Sequence, residues 1–81
     1  MSAAGKLGLI AGGGDLPAAV ATRCDTLGRP VFVIRLAGFA DEHLARWPGA
    51  EFGMAQIGAI LKALKTERCT TVCLAGVVNR P

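Results

Sequence analysis

The residues with the clearest chemical potential are Gly12-Gly13-Gly14-Asp15-Leu16-Pro17. Three consecutive glycines leave main-chain N–H groups unshielded, so a polar ligand can approach the backbone closely. Where such a turn joins a strand to a helix, those N–H groups and the positive end of the helix dipole favour an anion, usually a phosphate. Asp15 complicates that picture, because a carboxylate at a helix start repels an anion. It either caps the helix or meets a metal ion that bridges to phosphate. A second candidate patch is Gly76-Val77-Val78-Asn79-Arg80-Pro81, where Arg80 offers a guanidinium suited to phosphate. The candidate ligand-facing residues are therefore Gly12, Gly13, Gly14, Asp15, Leu16, Gly76 and Arg80. None of them is an evident general base, so no catalytic residue is assigned in this chain, and the metal ligands are left unassigned.

The elements that must position these residues follow from the apolar pattern. Leu7 to Ala11 is a continuous apolar run, the mark of a strand buried on both faces of a parallel sheet. A helix is expected from near Leu16 to Leu27, with Pro17 in its first turn and Gly28 and Pro30 ending it. Its inward stripe is read as Leu16, Val20, Cys24 and Leu27. Val31 to Ile34, closing with Arg35 and Leu36, is a second buried strand. The segment from Gly38 to Gly49 is irregular, with a helical turn over Glu42 to Arg46, and Ala50 to Met54 reads as a short edge strand. Gln56 to Arg68 carries Ile57, Ile60, Leu61 and Leu64 at helical spacing, and Thr70 to Ala75 is a further buried strand. The order is that of an α/β fold, a Rossmann-like open, mainly parallel sheet of about four strands with two flanking helices. In strand order 3-2-1-4 the glycine turn and Gly76 become the two lips of one crevice.

Several function classes fall away. The glycine turn matches the first two positions of the dinucleotide fingerprint Gly-x-Gly-x-x-Gly but has Pro17 at the third, and Arg35 stands where an acid would hold a ribose. A fragment of an NADP-dependent oxidoreductase, with Arg35 on the extra phosphate, stays open, as do a non-catalytic nucleotide-binding module and a plain structural turn. No Lys-Ser or Lys-Thr follows the glycines, which excludes a P-loop. The net charge of +3 comes from scattered Lys and Arg, with one Trp and three Phe for stacking, which argues against nucleic acid. Cys24, Cys69 and Cys73 have no framework spacing and read as reduced thiols of a cytoplasmic protein. His43 reads as a solvated loop residue. No stretch approaches the ~20 apolar residues of a membrane span, although peripheral contact with a membrane surface is compatible with the composition. Apolar residues make up 52% of only 81 positions, which suggests part of a larger protein whose apolar surface meets another domain or a second copy.

The phrase Gly8 to Pro17, the strand phrase Gly28 to Gly38, the helix start Gln56-Ile57-Gly58 with Leu61-Lys62, and the ending Ala75 to Pro81 together resemble the N-terminal domain of the LpxI family. The resemblance implies a hydrolase that, with Mg2+, splits the pyrophosphate of UDP-2,3-diacylglucosamine into UMP and 2,3-diacylglucosamine 1-phosphate in lipid A biosynthesis. It implies a second, C-terminal domain that carries the catalytic aspartate, with the substrate between the two domains. It places the protein in the cytoplasm, at or near the inner membrane, and leaves a homodimer open. Residues 1–81 alone are then expected to be inactive. Asn79 departs from the basic residue expected ahead of Arg80-Pro81.

Overall fold

The computed structural model describes residues 5–77. Its elements run β1 (Lys6–Ala11), α1 (Leu16–Thr26), β2 (Val31–Leu36), a 3-10 helix (Glu42–Arg46), β3 (Gly49–Phe52), α2 (Ile57–Thr66) and β4 (Cys69–Ala75). The four strands form one sheet in the order β3-β2-β1-β4, and every pairing is parallel. The expected α/β class and strand order are thus observed. β1, the most continuously apolar run, lies between β2 and β4, where both of its faces can be covered.

The two faces have separate cores. On one, Leu7, Leu9 and Ala11 of β1 and Val31 and Val33 of β2 pack with Ala21 and Cys24 of α1 and with Leu44 and Trp47 from the 3-10 segment. On the other, Phe32, Ile34 and Leu36 of β2 pack with Ile60 and Leu64 of α2. Gly8 makes this second packing possible. A side chain there would run into Leu64, so the missing Cβ lets α2 settle directly on the central strand. Trp47 ties the 3-10 segment to α1 through a 2.8 Å bond from its indole N–H to the Asp25 carboxylate.

Three expectations from periodicity need correction. The inward stripe of α1 is Pro17, Ala21 and Cys24, whereas Leu16 and Leu27 are exposed and Val20 is only half-buried. Small residues face the sheet because they let the helix backbone approach it closely, which leaves the larger leucines on the flanks. On α2 only Ile60 and Leu64 of the four apolar residues are buried. β4 pairs along one edge only, and Thr70, Thr71, Val72 and Leu74 are all exposed, so it is not the buried strand its composition suggests. A smaller shift concerns β3, which ends at Phe52 and leaves Met54 in the following turn.

Candidate functional site

β1 ends at Ala11 and β4 at Ala75, side by side in register. From there the two chain exits stay paired. The Gly12 N–H donates to the Ala75 carbonyl at 2.8 Å, and Gly13 and Val77 exchange two bonds of 2.8 Å each as an antiparallel bridge. Gly76 makes the turn into that bridge with φ of 104°, a conformation that strongly favours glycine. The turn after β2 closes the site from the other side, since a Cβ on Gly13 would lie 2.9 Å from the Phe39 carbonyl oxygen. That approach joins residues 26 positions apart, and no local pattern in the sequence signals it.

Beyond the bridge the chain opens to solvent. Gly12 is buried and Gly13 half-buried, while Gly14, Asp15 and Leu16 are exposed at the start of α1. Gly14 has φ of 87° with nothing within 4 Å of where its Cβ would be. The N–H groups of Gly14, Asp15 and Leu16 donate to no backbone partner among the described residues. The structure therefore brings Gly12, Gly13, Gly14, Asp15, Leu16 and Gly76 together at the carboxyl ends of β1 and β4. Arg80 lies outside the described residues, as do Val78, Asn79 and Pro81.

Asp15 occupies the N-cap position without capping. Its backbone is helical (φ −91°, ψ −15°), and its side chain makes no cap bond. An N-cap side chain reaches the first-turn N–H groups from an extended backbone, which Asp15 lacks. Asp41 shows the contrast. It is extended (φ −74°, ψ 144°) ahead of the 3-10 helix, and its carboxylate accepts from the His43 N–H at 2.8 Å. That backbone bond holds the Asp41 carboxyl below its usual range. The donors at the start of α1 are thus left without a side-chain cap, while the Asp15 carboxylate remains an exposed charge beside them.

A cavity of about 330 Å³ opens at the carboxyl end of β2 and is lined by Arg35, Asp41, Glu42 and Glu51 among others. Three carboxylates around one guanidinium repel a phosphate dianion, which counts against the NADP reading of Arg35. His43 is exposed and pairs locally with Asp41, as expected of a loop histidine. Cys24, Cys69 and Cys73 are free thiols. Burial raises the Cys69 thiol above its ordinary pKa. Cys73 is half-buried against the α1 core. Among the described residues no group of three or more His, Cys, Asp or Glu could hold a metal ion. No helix of the described residues is long and apolar enough to cross a membrane.

Residues 6–81 match the model of a family described as the LpxI N-terminal domain. The chain is also 54% identical over 76 residues to the UDP-2,3-diacylglucosamine pyrophosphatase LpxI of Caulobacter vibrioides. That alignment covers 94% of this chain and 27% of the relative, so the chain spans about a quarter of the length of the curated protein it matches.

Proposed function

Because the chain belongs to the LpxI family through its N-terminal domain, we propose that it forms one wall of the substrate crevice of a UDP-2,3-diacylglucosamine pyrophosphatase. In that reaction water adds to one phosphorus of the pyrophosphate and the P–O–P bond breaks, giving UMP and 2,3-diacylglucosamine 1-phosphate. The protein would serve lipid A biosynthesis, in the cytoplasm beside the inner-membrane surface that holds a diacylated substrate.

The observation that carries this reading is the main-chain pairing of Gly13 with Val77. It joins the glycine turn and the β4 exit, two of the four phrases on which the family resemblance rests, into a single lip. The work of that lip is electrostatic. Uncommitted N–H groups at the start of α1 offset charge on phosphate oxygens and hold the pyrophosphate in place for attack. Activation of water, and the Mg2+ that the family resemblance implies, belong in this proposal to residues of the longer protein, with Asp15 the carboxylate this lip could add.

The test uses the full-length protein with UDP-2,3-diacylglucosamine and Mg2+, following UMP release. Turnover is expected, and residues 1–81 alone should release none. Gly14→Asn is the informative variant, because asparagine tolerates positive φ better than other side chains do and nothing crowds a Cβ there. KM should rise about tenfold or more, at about 1.4 kcal/mol per decade, with little change in melting temperature. An unchanged KM would reduce the glycines to a plain structural turn, and absence of turnover by the full-length wild type would overturn the assignment.

A further inference from the structure

The cavity at the carboxyl end of β2 stands one strand away from the glycine turn. Arg35 is paired in register with Ala11, the residue that precedes Gly12, and Glu51 of β3 is paired in register with Arg35. Register partners in a sheet share a face, so Arg35 and Glu51 lie on the α1 side, opposite Ile34 and Leu36 of the second core. The turn that follows β2 joins this cavity to the lip. Gly38 and Ala40 line the cavity, and Phe39 between them sets its carbonyl oxygen against Gly13. Cavity and lip are thus the two sides of one turn.

The charged groups of the cavity are largely uncommitted. Among the described residues the side chains of Arg35, Glu42 and Glu51 make no hydrogen bond or ion pair, whereas Asp41 is held by the backbone N–H and the ring of His43. A guanidinium only donates and a carboxylate only accepts, so the ligand that suits both is neutral and carries hydroxyls beside carbonyl oxygens. Glu42 and Glu51 repel a phosphate, and an acyl chain would strip water from charged side chains without replacing it. A volume of about 330 Å³ is at the small end for ligand sites. These conditions suit the nucleoside half of a nucleotide sugar and exclude its lipid half. In dinucleotide folds an acid at the end of the second strand holds the ribose. Here Arg35 takes that position, and Glu51, its register partner, restores the acid one strand further out.

We propose that this cavity is a nucleoside subsite and that it sets the direction in which the substrate lies. With the pyrophosphate at the N–H groups of Gly14, Asp15 and Leu16, the uridine extends across β2 toward β3. There the Glu51 carboxylate accepts from the ribose hydroxyls, and the Arg35 guanidinium donates to the carbonyl oxygens of the base. The diacylated sugar leaves the lip in the other direction, away from β3. This orientation rests on the pyrophosphatase reading, whereas the cavity's preference for a ribonucleoside phosphate is measured by binding alone and needs no turnover.

Titration calorimetry on the full-length protein tests it, with UMP, 2′,3′-dideoxyuridine 5′-monophosphate and 2,3-diacylglucosamine 1-phosphate as probes. The dideoxy nucleotide should bind the wild type about tenfold more weakly than UMP, the loss expected for hydrogen bonds to a charged group. Glu51→Gln should weaken UMP by about the same factor while leaving the other two probes and the melting temperature unchanged, since Glu51 is exposed. The sign is decisive. Were Glu51 only a source of negative field, its removal would tighten every anion. Tighter or unchanged UMP binding would therefore overturn the subsite, as would a wild type that does not bind UMP, or an equal loss for UMP and the dideoxy nucleotide. Weakening of the lipid phosphate in place of UMP would overturn the direction. A wild type that binds UMP as described but releases none from UDP-2,3-diacylglucosamine would overturn the pyrophosphatase reading and leave the subsite standing.

Discussion

Replacing Gly76 with alanine in the full-length protein is expected to cause the largest loss of stability of any single methyl addition to the crevice wall. The added Cβ would lie 2.8 Å from the Gly12 carbonyl carbon, 2.8 Å from the Gly13 oxygen and 2.9 Å from the Pro17 ring. Two of these neighbours are backbone and cannot rotate away. The φ of 104° adds strain of its own. Together these cost about 2–6 kcal/mol, read as a fall in the urea midpoint with the slope unchanged. UMP release should fall with it, because the displaced atoms are those that pair the two lips. Gly58→Ala supplies the opposite sign. Gly58 lies in α2 with nothing within 4 Å of its Cβ position, so alanine there should stabilise by about 0.5–1 kcal/mol. Equal responses at the two positions would contradict the packing described for Gly76.

The second large effect is expected at Trp47. The residue is 8% exposed, packs in the α1-side core with Leu44, and donates its indole N–H to Asp25. Trp47→Ala should cost about 3–5 kcal/mol, as for other buried aromatic residues. Trp47→Phe keeps most of the apolar contact and removes the bond to Asp25, so about 1 kcal/mol is expected. Chemical denaturation of both variants separates packing from hydrogen bonding. If Phe proved as damaging as Ala, the bond to Asp25 rather than the buried ring would be what anchors the segment between β2 and β3.

The architecture was readable from the chain because buried parallel strands announce themselves. Leu7 to Ala11 and Val31 to Ile34 are apolar on both sides of the pleat, and the glycines after β1 and β4 mark where the two chain exits meet. Helix phase was less legible. Reading by hydrophobicity selects Leu16 and Leu27 over Ala21, yet close approach to the sheet rewards small residues, and Leu16 and Leu27 remain exposed. The same reasoning turns Ile57 and Leu61 inward with Ile60 and Leu64, yet both are exposed, because only the flank of α2 that carries Ile60 and Leu64 meets the sheet. Asp15 shows the limit at the site. Its type and position satisfy the rule for a cap, but capping depends on backbone angles that composition does not encode. Asp25 lies off the apolar stripe of α1 and is exposed, yet it accepts from Trp47, a partner 22 residues away that no local pattern signals.

The paired bonds between Gly13 and Val77 also bear on the thermodynamics of recognition. Loops that become ordered around a ligand subtract that ordering, about 1–2 kcal/mol for each backbone residue fixed, from the affinity they provide. Here the glycine turn is latched to the end of β4 as the domain folds, so little of that entropy remains to be lost when a ligand arrives. The wall is preorganised. In the proposed crevice, closure around a substrate would then come from whatever faces this lip, with the lip itself acting as the fixed jaw.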